Sequence, residues 1–177
     1  MGYTTEFNGS LELSRTATKI EIDYINDFSE SRRMKRDVKK LNEIYKGEMG
    51  NPFAKNPEDV YGIDGEYFIG QDELFPRNES IIEDNNPPST QPSLWCQWIL
   101  TPNGTKLEWD KCEKFYSYVN WLKYLINNFF EKWEIKLNGE ITWEGEDDDD
   151  LGKIVVTDND VKIYLGEKNI VYTSAEN

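Results

Sequence analysis

Histidine is missing from all 177 residues, and cysteine occurs only twice, at Cys96 and Cys112. The first absence excludes Ser-His-Asp and Cys-His nucleophile systems and any zinc site built on imidazole. The second leaves too few thiols for a disulfide framework and predicts two reduced cysteines in a cytoplasmic protein. Positive charge is also scarce: 20 Lys+Arg face 34 Asp+Glu, a formal charge of -14. Such a field repels a polyanion, so no direct nucleic-acid partner is expected. Long apolar runs are lacking too. The richest stretch, 119–130, is interrupted by Lys123, Asn127 and Asn128, which predicts no membrane span. Met1-Gly2-Tyr3-Thr4-Thr5-Glu6 has neither the basic start nor the apolar run of a signal peptide.

What is present reads as a single α+β domain over 1–177. Residues 3–13 alternate around Asn8-Gly9, which predicts an opening strand or hairpin. Thr18-Lys19-Ile20-Glu21 is a capping-box pattern ahead of Ile22, Ile25 and Phe28 at helical spacing. Asp37 N-caps a second short helix ending near Gly47. From about 47 to 92 the texture is irregular and holds Pro52, Pro57, Pro76, Pro87, Pro88 and Pro92, with Tyr67-Phe68-Ile69 as its one strand candidate. A loop of that length inside a domain is more often functional than idle.

Residues 94–100 and 106–109 flank Pro102-Asn103-Gly104 and predict a central hairpin. Asp110 with Glu113 then reads as the capped start of a long helix reaching about Trp133. A C-terminal antiparallel meander comes next, with strands at 135–143, 154–156 and 161–165 and a last one at 170–172. The expected architecture is this meander plus the hairpin, packed against one long helix and two shorter N-terminal helices.

Charge is unevenly spread. Residues 15–55 hold ten Lys+Arg and seven Asp+Glu, against ten and 27 in the remainder. Arg32, Arg33 and Arg36, with Lys35, Lys39 and Lys40, form a local cationic cluster suited to phosphate or carboxylate. The same cluster would serve equally to neutralise the protein's own carboxylates. Trp95 and Trp98 stand three apart on a β run, so one can be core and the other face out. On the long helix Tyr124 falls on the polar face and Trp121 at its edge, and such rings beside arginines hold nucleotide bases. Core packing is the plainer role for all four rings. The acidic run 144–150 lacks the alternating ligands of an EF-hand. It reads as a solvated tip, an acidic patch for a basic partner, or a hard-cation site. P-loop, G-x-G-x-x-G and G-x-S-x-G motifs are absent, so no catalytic residue, metal site or cofactor is expected.

Several blocks occur in order along the chain: Gly2-Tyr3-Thr4-Thr5-Glu6-Phe7, Ser31-Arg32-Arg33-Met34 and Gly70-Gln71-Asp72. Leu94-Trp95-Cys96-Gln97-Trp98, Glu113-Lys114-Phe115-Tyr116, Leu137-Asn138-Gly139-Glu140 and Trp143-Glu144-Gly145-Glu146-Asp147 come after them. Together they resemble a widespread family of uncharacterised proteins from bacteria and their phages. Where that family usually has two glycines before the Glu-Lys-Phe-Tyr block, this chain has Lys111-Cys112. The resemblance implies a phage or prophage setting, and with it counter-defence inside the bacterial cytoplasm.

The expectation is therefore a non-enzymatic protein that sequesters a small anionic, nucleotide-type ligand such as an immune signal. Arg32, Arg33 and Arg36 would take its phosphates, and Trp95, Trp98, Trp121 or Tyr124 its base. The alternatives are an acidic inhibitor that mimics nucleic acid against a host defence protein, and a metal-dependent hydrolase of such a signal.

Overall fold

Alternation of apolar and polar residues turns Thr5–Leu13 into β1, with Leu11 wholly buried and Glu6, Asn8 and Glu12 facing solvent. The computed structural model describes residues 2–70, 78–169 and 171–175. In it β1 is not an edge hairpin but a central strand. It pairs antiparallel with β5 (Lys106–Trp109) on one side and β6 (Leu137–Gly145) on the other. Adding β4 (Trp98–Leu100), β7 (Leu151–Thr157) and β8 (Asp160–Leu165) gives a six-stranded antiparallel sheet of order β4-β5-β1-β6-β7-β8. Asn8-Gly9 stays within β1 because Gly9, at φ +107, approaches β6 closely. A Cβ there would lie 2.5 Å from the Glu140 carbonyl oxygen. Asn138-Gly139 likewise stays in strand, opposite Leu11 and Glu12.

The expected hairpin and meander are both present. Gly104, at φ +71, closes the β4–β5 turn by donating to the Thr101 carbonyl at 2.8 Å. Helix α1 (Lys19–Glu30) begins at the Thr18–Glu21 capping box. It lies along β4 and covers the edge of that strand with side chains. Asn26 accepts from the Leu100 amide at 2.8 Å and donates to the Leu100 carbonyl at 3.1 Å, while Ser29 Oγ donates to the Trp98 carbonyl at 2.6 Å. Backbone groups that a seventh strand would take are thus satisfied by the helix.

Glu21 sits under a fork from Arg15, whose Nη2 is 2.7 Å from Oε1 and Nη1 2.9 Å from Oε2. Burial alone would raise the Glu21 carboxyl. The Arg15 fork and the Thr18 amide outweigh it and hold the group below its ordinary value of 4.5. A depressed carboxyl contributes stability above the unfolded value and loses it as pH falls through the folded one. Glu21→Gln is expected to cost about 1–2 kcal/mol near neutral pH, and much less in acid, as read by urea melts at the two pH values.

Asp37 caps α2 (Val38–Tyr45) through the Lys40 amide, as expected. The helix at the centre of the chain is shorter than its pattern suggests. It starts not at Asp110 but at Tyr118, running as α3 (Tyr118–Leu125) into a π turn over Ile126–Phe130. Lys111, Lys114 and Ser117 all have φ between +57 and +68, which no α-helix accommodates. The Asp110 carboxylate accepts from the Cys112 amide, so it closes a turn instead of capping a helix. Beyond the π turn, Glu134 at φ +58 swings the chain toward β6.

Tyr67–Ile69 is not a strand. Their amides donate to the Tyr61, Gly65 and Met49 carbonyls, and Phe68 enters a small second core with Leu41 and Tyr61. The two-residue β2 (Lys35–Arg36) instead pairs with β3 (Ile81–Glu83). Residues 171–175 are irregular; Ile170, Gln71 and Asp72 lie outside the described residues. The main core joins α1, α3 and the inner sheet face around Phe28, Trp98, Trp121 and Phe129. Among the described residues no helix is long and apolar enough to cross a membrane.

Candidate functional site

The arginine cluster is where sequence and structure diverge most. Arg33 and Arg36 are fully buried. Arg33 Nη1 and Nη2 each donate at 2.7 Å, to the carbonyls of Phe68 and Glu66, and Nε donates to Gln91 Oε1 at 3.3 Å. Its guanidinium lies 4.1 Å from the centre of the Phe28 ring. Arg36 donates to Ser80 Oγ at 2.7 Å and lies over Phe68 at 4.3 Å. Arg32, nearer the surface, donates to the Asp84 carbonyl and to Asn85 Oδ1. These donors clamp Glu66, Phe68, Ser80, Asp84, Asn85 and Gln91 onto the residues just after α1. They are directed at the protein's own carbonyls rather than presented as a phosphate cradle.

The aromatic candidates separate as well. Trp98 and Trp121 are wholly buried, their indole N–H groups donating to the Tyr118 carbonyl at 2.9 Å and to Ser93 Oγ at 2.6 Å. Tyr124, placed by periodicity on a polar face, is buried because Glu66 and Gln91 pack over that face. Its hydroxyl donates to Glu66 Oε1 at 2.7 Å and accepts from Gln91 Nε2 at 3.1 Å. Burial and the Glu66 carboxylate push the Tyr124 phenol well above its ordinary range. Of the four rings only Trp95 remains in contact with solvent, at 39% exposure, just ahead of β4. The seven candidates are therefore not gathered into one site.

Trp95 borders the feature that sequence reasoning missed, a cavity of about 690 Å³ between the end of α1 and the 110–117 loop. Leu94, Pro87, Trp95 and Tyr116 line it with apolar side chains, and Glu30, Asp110, Cys112, Glu113 and Lys114 complete the lining. Tyr116 is 49% exposed, its hydroxyl accepting from the Tyr3 amide at 3.3 Å. Gln97 fixes the loop from below, donating to the Glu113 carbonyl at 3.0 Å and accepting from Trp109 Nε1 at 3.2 Å. Asp110 is raised from its ordinary value, by burial first and also by the Glu30 carboxylate, and the Cys112 hydrogen bonds offset only part of this. The Cys112 thiol is raised by burial and by Asp110. Cys96, by contrast, is fully buried and pushed up to about 12.

No family model, no curated protein and no solved structure matches this chain. Its function is therefore inferred from the chemistry of its own side chains.

The acidic run resolves into contacts. Asp150 accepts from Tyr3 Oη at 2.6 Å and Trp143 Nε1 at 2.9 Å, and Glu146 accepts from the Thr4 amide at 2.7 Å. Lys168 pairs with Glu144 at 2.9 Å and Asp148 at 3.2 Å. Among the described residues, no three Asp, Glu or Cys side chains converge as a metal site requires. Much of the run works as a clasp on the N-terminal residues.

Proposed function

We propose that this chain is a binding protein that captures a small planar ligand in the cavity beside Trp95. The observation that carries the reading is an indole and a phenol, Trp95 and Tyr116, left exposed on the walls of one apolar cavity. Most other large rings of the chain are packed into a core. A cavity of about 690 Å³ with apolar walls and a few polar rim groups has the size and lining of a small-molecule site. The phosphate half of the sequence-based expectation rested on Arg32, Arg33 and Arg36, whose donors are engaged within the fold. The ring half rests on Trp95 and is retained. Sequestration of a signal in a phage setting is the use that suits such a protein.

Cys112 gives the test a reporter, because it is exposed and among the residues that line the cavity, while Cys96 is buried. The protein is mixed with a small-molecule cell extract, washed, and denatured to release and weigh whatever was held. A retained compound, released intact, should slow alkylation of Cys112, and Trp95→Ala should lose both effects. Equal retention by the variant, or a Cys112 rate indifferent to the extract, would overturn the reading.

A further inference from the structure

We infer that the ligand held in this cavity is a small organic cation, an amine or amidine on a planar or apolar body. The inference rests on the capture reading above and adds the sign of the charge. Three acidic residues, Glu30, Asp110 and Glu113, line the cavity against one basic residue, Lys114. The stem of Lys114 is pressed against the backbone at Gly2, where an added Cβ would lie 2.4 Å from Cε. The hydrogen bonds already made at the rim point the same way. Asp110 Oδ1 accepts from the Cys112 amide, and the Glu113 carbonyl from Gln97, so the 110–113 turn is braced while carboxylate lone pairs remain for a donor.

The Glu30 carboxylate opposes the ionised form of Asp110, a repulsion that a cation held beside Asp110 would relieve. The exposed rings contribute in the same sense. The faces of Trp95 and Tyr116 are negative, and a cation over such a face is attracted most strongly where water is scarce. A carboxylate or phosphate ligand would meet repulsion from the same groups. A metal ion is disfavoured by the donors themselves, which do not converge among the described residues. An amine on an apolar body satisfies rim and walls together.

Three probes of one shape separate the contributions: phenethylamine, 2-phenylethanol and phenylacetate, titrated against the part of the tryptophan fluorescence that Trp95→Phe removes and against the Cys112 alkylation rate. The amine should bind at least about tenfold tighter than the alcohol, and the acid weakest of the three. Asp110→Asn with Glu30→Gln should bring amine and alcohol within about threefold, since both substitutions keep shape and remove only charge. Added salt should weaken the amine and leave the alcohol unchanged. An alcohol or acid bound as tightly as the amine would overturn the charge inference and leave capture standing. So would three silent probes alongside protection of Cys112 by the cell extract. Three silent probes together with a silent extract would remove the capture reading itself.

Discussion

Arg33→Ala is expected to destabilise the fold by about 4 kcal/mol, from buried acceptors that lose their donor together with the cavity left by a long buried side chain. The side chain removed is wholly buried; its loss leaves the Phe68 carbonyl and Gln91 Oε1 without this donor and the Glu66 carbonyl with Gln91 Nε2 alone. It also leaves the Phe28 face uncovered. Arg33→Lys should recover only part of the loss, because an ammonium cannot span two carbonyls held for a planar fork. Arg32→Ala, which removes partly exposed contacts, should cost less than about 1 kcal/mol. Urea melts of the three variants decide the matter. An Arg33→Ala protein within about 1 kcal/mol of the parent would mean that the clamp on Glu66, Phe68 and Gln91 is dispensable.

The second large effect separates two tryptophans three residues apart. Trp98→Ala should cost about 4 kcal/mol, since it deletes a fully buried indole from the middle of the core. That indole packs edge-on against Phe7 and Phe115, at 5.4 and 5.1 Å between ring centres, and donates to the Tyr118 carbonyl. Trp95→Ala should cost less than about 1 kcal/mol and remove a cavity wall instead. Thermal or urea unfolding of the pair gives the first contrast, and Cys112 protection by ligand the second. Equal destabilisation by the two substitutions would contradict the division of labour between them.

Local chemistry was readable in the sequence wherever a short signal decided the outcome. Thr18 with Glu21 starts α1, Asp37 starts α2, and Pro102-Asn103-Gly104 turns β4 into β5. The mixed α+β class, the hairpin and the meander emerge from such signals. What stayed hidden depended on residues far along the chain. Arg33 looks like a surface cation until Glu66, Phe68 and Gln91, more than 30 positions later, supply acceptors around it. Tyr124 lies on a polar arc, but Glu66 and Gln91, distant in sequence, cover its hydroxyl. Of the cavity, only Trp95 was legible. Asp110, Glu113 and Tyr116 looked like the first turns of a helix, because nothing in their side chains announces left-handed backbone at Lys111, Lys114 and Ser117.

The sheet ends in two unlike ways. At β4, Asn26 and Ser29 from α1 fill the outward backbone positions of Trp98 and Leu100. At β8, the far end of the strand order, Ile163, Tyr164 and Leu165 are exposed. One end of the strand order is thus sealed by side chains of a helix, and at the other the last strand presents three large apolar side chains to water.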